Sequence, residues 1–159
     1  MKAWQIGIVA GILGAVLVNH RKFVEAAGQW RGAIDLAGKK YNINKHILAS
    51  LIWTESRFNP AAVSSAGAVG LTQIRSVAAQ DLNIVFSSIV NNPGLQIDAG
   101  AAFLRMQIDR SGGDLYTGLR SYNAGAAGAA QNAMLAAGYA LEIMQGALVD
   151  WLYGLLSNY

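Results

Sequence analysis

The sequence predicts a mainly α-helical domain preceded by an apolar N-terminal helix. Apolar residues recur at spacings of three and four along most of the chain, the period of an amphipathic helix. Strand-like alternation is not sustained anywhere, Asn83 to Val90 being the one segment that could be extended. Ala3 to Val18 carries no charge at all, between Lys2 and the run His20-Arg21-Lys22.

Composition narrows the class. A chain of 159 residues fits one domain with a substantial core. With 53% hydrophobic and 13% charged residues it is not a disordered chain. The absence of cysteine excludes disulfides and thiolate metal sites. The net charge of +3 is unevenly spread: residues 1 to 45 hold seven Lys/Arg against Glu25 and Asp35, leaving five basic and seven acidic residues in the remainder. Cations beside a hydrophobic segment suit an anionic membrane surface or envelope polymer better than nucleic acid.

The elements follow in order. The sixteen residues from Ala3 to Val18 would span roughly 24 Å as a helix, a little short of the ~30 Å hydrocarbon core. No small-x-small cleavage pattern follows, so an uncleaved signal anchor is expected, with Gly7 and Gly11 forming a GxxxG. The expected division is residues 1–21 as a membrane-spanning signal anchor and 22–159 as the functional domain. Cations are more numerous after the segment than before it, which by charge alone would keep the following domain cytoplasmic.

Phe23, Ala27, Trp30, Ile34, Ala37 and Tyr41 mark an amphipathic helix over about 22–41. Asn42 or Asn44 can cap the next, from about Lys45 to Arg57, which Phe58-Asn59-Pro60 ends. Residues 59–70 read as an irregular loop and 71–82 as a short helix. Asn91 to Gly94 read as a turn, and Asp98 as the cap of a helix that stops at Gly112-Gly113. Asp114 can cap residues 115–121. A last helical region covers about 126–156, with a break expected at Gly138 and an apolar stripe of Leu141, Met144, Leu148, Trp151 and Leu155.

One carboxylate stands out. Leu48, Leu51, Ile52 and Glu55 occupy i, i+3, i+4 and i+7, so Glu55 continues the apolar face of its helix. Desolvation there raises a carboxyl pKa, the property a general acid for glycosidic cleavage needs. A Glu in this register can equally be paired with a cation such as Arg57 or Arg75. Beyond it, Gly67 and Gly70 permit close backbone approach, and Ser64, Ser65, Thr72 and Gln73 offer neutral hydrogen-bonding groups of the kind sugars require. Tyr122 and Asn123 add a phenol and an amide before Gly125, although Asn-Gly is also a common helix terminus. His20 and His46 are isolated, and neither a metal-ligand cluster nor a Gly-rich phosphate loop occurs, so no metal or cofactor is expected.

These residues carry a resemblance. Glu55, Ser56, Phe58, Asn59, Pro60, Ser64, Gly67, Ala68, Gly70, Leu71 and Gln73 fill the first signature of the soluble lytic transglycosylase (SLT) family, related to goose-type lysozyme. Asn92-Pro93 with Gln96-Ile97 and residues 100–104 resembles the second block, and Tyr122 to Gly125 matches the third. The resemblance, over roughly residues 42–128, implies a lysozyme-like helical domain that cleaves the MurNAc–GlcNAc β-1,4 bond of peptidoglycan and forms 1,6-anhydro-MurNAc. It implies Glu55 as acid and base, Tyr122 hydrogen-bonded to it, and Ser64, Gln73, Tyr122 and Asn123 as substrate-binding groups. Departures include Val69 and Thr72 where Met is common, Arg75-Ser76 for Met-Pro, Gln96 for Asn, and Ala126 for Pro. The Tyr-bearing block that usually follows is not recognisable, its place being taken by the apolar Ala133 to Tyr159.

The weakly hydrophobic N-terminal segment resembles the signal-anchor-release segments of phage endolysins. The expected partners are peptidoglycan strands, a membrane through the N-terminal segment, and other proteins of a phage particle or secretion machine. The expected location is the bacterial inner membrane and periplasm, or a virion. The competing readings are a hydrolytic muramidase and a non-catalytic glycan-binding component of such an assembly.

Overall fold

The computed structural model describes residues 19–156. The signal anchor expected over residues 1–21 therefore lies almost entirely outside the described residues. Among those described, no helix is long and apolar enough to cross a membrane.

The architecture is helical: α1 (residues 19–27), a 3-10 turn at Gly28–Trp30, α2 (Arg31–Lys40), α3 (Lys45–Ser56), α4 (Ser76–Asp81), α5 (Phe86–Val90), α6 (Pro93–Arg110), α7 (Leu115–Gln131) and α8 (Ala133–Leu156). Only isolated bridges, Val63 with Val69 and Val69 with Ile74, interrupt this pattern among the described residues. The single amphipathic helix expected over 22–41 is thus two helices joined by the 3-10 turn. Its apolar face is kept: Phe23, Ala27, Ile34 and Ala37 are all buried.

The central helix is α3. Asn44 caps it by accepting from the His46 N–H at 2.8 Å. Leu48, Leu51 and Ile52 are fully buried, with α2 on one side and α8 on the other. The helix ends one residue earlier than the proline suggests. Arg57 and Phe58 both adopt left-handed conformations (φ 54° and 61°), and the Arg57 N–H bonds the Trp53 carbonyl. Phe58 turns into the core against Phe23 and Trp53, with ring centroids 5.4 and 6.1 Å away. His46 Nδ1 lies 2.6 Å from Asp150 Oδ2, tying the start of α3 to the far half of α8.

Several boundaries differ from the sequence reading. Residues 71–75 form turns and a bridge, so the helix expected over 71–82 shortens to Ser76–Asp81. The segment considered for a strand, 83–90, contains α5 instead. The Asn91 to Gly94 turn is the start of α6: Asn92 accepts from the Leu95 N–H at 3.1 Å and Pro93 takes the first turn, where a missing N–H costs nothing. Asp98 pairs with Lys40 at 2.8 Å rather than capping α6. Asp114 does cap α7, accepting from Thr117, but the helix runs on past Ser121 with a kink at Gly125 (φ 70°, ψ 162°). The final break falls at Asn132, and α8 passes through Gly138 without interruption.

A buried polar knot locks the 59–74 loop to α6. Gln96 is fully buried; its Oε1 accepts from the Leu71 N–H at 2.9 Å, and its Nε2 donates to the Pro60, Ile89 and Val90 carbonyls. Thr72 donates back to the Gln96 carbonyl at 2.5 Å. Two glycines make room: a Cβ on Gly70 would lie 2.1 Å from the Gln96 amide carbon, and one on Gly100 2.4 Å from the Thr72 Cβ. Overpacking of this kind costs about 1–3 kcal/mol. Gly100→Ala should therefore lower the melting temperature by roughly 2–12 °C in a chain of this size, measured by circular dichroism.

Candidate active site

Glu55 lies in the last turn of α3, mostly buried, where α8 passes over it. The Tyr139 hydroxyl on α8 donates to Glu55 Oε1 at 2.5 Å. Among the described residues no cation pairs with Glu55. Arg57, the partner considered from the sequence, instead stacks on the Trp53 ring at 4.8 Å and faces Glu142 at 4.0 Å. Burial pushes the Glu55 carboxyl from the ordinary 4.5 up to about 7; the Tyr139 hydrogen bond opposes that rise and the Glu142 charge adds to it. Burial likewise holds the Tyr139 phenol well above its usual range, so it stays a neutral donor.

Tyr122 does not make the hydrogen bond to Glu55 that was expected of it, although it lies near enough to feel the Glu55 charge. It is 8% exposed, and its hydroxyl donates to the Thr72 carbonyl at 2.6 Å. It fastens α7 to the loop, with the Phe103 ring edge-on at 5.3 Å. The direct bond to Glu55 comes from Tyr139, which sequence reasoning missed. Tyr139 lies in the segment that lacked a recognisable family block, and a separation of 84 residues leaves no local pattern. Its one signal was position: a hydroxyl on the face shared by Ala136, Ala140, Ile143 and Ala147, which is the buried face of α8.

The loop after α3 spends most of its signature residues on its own shape. Ser56 donates to the Leu71 carbonyl at 2.8 Å, and Asn59 accepts from the Ala61 N–H at 3.0 Å. Ser64 Oγ accepts from the Ala68 N–H at 3.0 Å, which leaves its proton to donate elsewhere. Gln73 sits at φ 48° and donates its amide to the Gly70 and Ala62 carbonyls, so its Oε1 can still accept. Asn123 is exposed, two residues before the Gly125 kink. A cavity of about 640 Å³ lies elsewhere, between α1, α2, α8 and the opposite end of α3, lined by Phe23, Ile34, His46 and Asp150. Among the described residues no His, Cys, Asp and Glu cluster could hold a metal ion.

Residues 32–141 match the transglycosylase SLT domain family. The chain belongs to that family. Among curated proteins it is 35% identical over 102 residues to the transglycosylase of Enterobacteria phage PRD1, covering 64% of this chain and 37% of the phage protein. It is 31% identical over 134 residues to the membrane-bound lytic murein transglycosylase C of Klebsiella pneumoniae, covering 75% of this chain and 37% of that one. The chain thus spans under two-fifths of the length of these relatives. Its fold resembles the lytic transglycosylase Slt of Pseudomonas aeruginosa (TM-score 0.66, 18% identity, 80% of this chain and 24% of that one). It similarly resembles the 70-kDa soluble lytic transglycosylase of Escherichia coli (TM-score 0.66, 16% identity, 78% and 24%).

The raised pKa has a thermodynamic signature. Between about pH 4.5 and 7 the folded chain holds the Glu55 proton more tightly than the unfolded one, so this group's contribution to stability declines as pH rises. Glu55→Gln should remove that decline. The variant should be more stable than the parent by on the order of 1–3 kcal/mol at pH 8 and nearly equal to it at pH 4, by denaturant titration. Tyr139→Phe removes a bond that favours the carboxylate, so the Glu55 carboxyl should titrate at higher pH in that variant, measurable by NMR.

Proposed function

We propose that this chain is a peptidoglycan lytic transglycosylase in which Glu55 acts first as acid and then as base. The observation that supports this reading is a mostly buried carboxyl, pushed by burial up to about 7, with a hydrogen bond from Tyr139 and no cation paired to it among the described residues. That bond occupies Oε1 and leaves Oε2 to face substrate. In the proposed cycle Glu55 gives its proton to the oxygen between MurNAc and GlcNAc as the C1–O bond breaks. The carbonyl oxygen of the substrate's N-acetyl group supports the oxocarbenium-like C1. The Glu55 carboxylate then takes the proton of the MurNAc 6-hydroxyl, whose oxygen bonds C1, giving the 1,6-anhydro end and restoring the acid. One carboxyl suffices because the intramolecular hydroxyl replaces the water and second carboxylate of the usual scheme.

In this reading the Ser64 hydroxyl proton, the Gln73 Oε1 and the Asn123 amide contact the hydroxyls and N-acetyl groups of the glycan. Tyr122 supports them from beneath by holding Thr72. Residues 22–159 form the catalytic domain. With residues 1–21 as anchor, the basic N-terminal third would hold it against a bacterial inner membrane or within a phage particle. The named phage and membrane-bound relatives support both settings.

Digestion of purified sacculi followed by mass spectrometry tests the reaction. Anhydro-MurNAc ends are expected; reducing ends would indicate a hydrolytic muramidase, and binding without release a structural component. Glu55→Gln should lower the rate by about 10²–10⁴-fold, the usual worth of a positioned acid. Tyr139→Phe should cost roughly 10–100-fold, the worth of a hydrogen bond to a charged group, and shift the alkaline limb of the pH–rate profile upward.

A further inference from the structure

Given Glu55 as the acid of the proposed reaction, we propose that Glu142 is a positioning residue for it: with Arg57 it forms a charge pair at the solvent edge of the site that keeps the proton on Glu55. Glu142 stands one turn beyond Tyr139 on α8, on the side turned to the end of α3. Its Oε1 accepts from the Thr54 hydroxyl at 3.4 Å and lies 4.0 Å from the Arg57 guanidinium. Thr54 precedes Glu55 and Arg57 follows it by two residues, so these contacts bracket the acid along the chain. Arg57 is itself fixed: its guanidinium stacks on the Trp53 ring at 4.8 Å and donates to the Trp53 carbonyl at 3.0 Å. The side chains of Glu142 and Arg57 are both 55% exposed, whereas Glu55 and Tyr139 lie beneath them, mostly buried.

Few other charges surround Glu55. Residues 58–74 contain no ionisable side chain. From α7 comes Tyr122, a phenol bonded to the Thr72 carbonyl, while Arg120 on the same helix lies over the Tyr116 ring. The other carboxylate of α8, Asp150, pairs with His46 at the far end of α3, where Lys45 faces Asp35. Glu142 and Arg57 remain, and they act in opposite senses. A neighbouring carboxylate disfavours a second negative charge, and a neighbouring cation favours it. Burial is the larger cause of the rise at Glu55, and the Glu142 charge adds to it. It does so from the solvent edge, where salt screens the interaction. A half-exposed pair adds little to folding stability, so its consequence is for the proton rather than for the fold. A group that serves first as acid and then as base must be protonated before cleavage and ionised after it. A like charge outside the buried contact, held in check by a cation, sets that balance without disturbing the Tyr139 bond.

Carboxyl NMR titration of Glu55 in the full chain, together with pH–rate profiles on sacculi, tests the pair. Glu142→Gln should let Glu55 ionise at a pH lower by roughly 0.2–0.7, the size of a partly exposed charge interaction. Its rate at pH 8 should accordingly fall about two- to fivefold, with a smaller change at pH 5. Arg57→Gln should move both readouts the other way, and Glu142→Asp, which keeps the charge, should stay near the parent. The gap between parent and Glu142→Gln should close as salt is raised, a response that a merely structural effect of the substitution would not give. Identical Glu55 titration in parent and Glu142→Gln would overturn the proposal. So would a gap that salt leaves unchanged, or an Arg57→Gln shift of the same sign as that of Glu142→Gln. An inactive parent whose Glu55 still titrates differently from that of Glu142→Gln would instead overturn the reaction and support the charge coupling.

Discussion

The fold around Glu55 depends on one buried side chain, Gln96. Its amide holds the Leu71 N–H on one side and three carbonyls on the other, joining the 59–74 loop, the end of α5 and α6 in a single bonded unit. A buried amide is costly unless fully bonded, and this one is bonded on both its oxygen and its nitrogen. The absence of side chains at Gly70 and Gly100 allows the strands of chain to come close enough for these bonds. Thr72 and Tyr122 extend the unit to α7. The loop that ends α3 is therefore tied to α5, α6 and α7, although it contains almost no regular structure.

This explains a division of labour within the signature. Of its residues, Glu55 alone combines burial with a chemically adjustable proton. Ser56, Phe58, Asn59, Gly70 and Leu71 shape the loop, and Ser64 and Gln73 contribute to that shape through some of their atoms while leaving others free. A pattern of this density specifies a backbone path first, and the carboxyl inherits its place from that path.

The helical class, the apolar faces of α2 and α3, and the desolvation of Glu55 were legible in the sequence because each follows from a local period of three or four. The boundaries around residues 71–98 were not, because there the backbone obeys the Gln96 knot, a contact between distant segments that overrides local propensity. The hydrogen bond to Glu55 expected from Tyr122 by resemblance comes from Tyr139, and partners across 84 residues leave no local trace. The α8 stripe shows a further limit. Periodicity found the helix but could not tell which of two apolar faces is buried. The inner face is built of small residues, Ala136, Ala140 and Ala147 around Ile143, because α3 and α7 pack closely there. The larger side chains were left facing outward.

The Tyr139–Glu55 contact also has a bearing on timing. As the chain emerges from the ribosome, α3 is complete about eighty residues before Tyr139 is made, and until α8 folds back the Glu55 carboxyl stands in water with an ordinary acidity. At neutral pH it is then an exposed anion, unable to donate a proton. In the proposed reaction the acid would thus exist only once α8 has docked, and a nascent or partly unfolded chain would be chemically silent toward peptidoglycan.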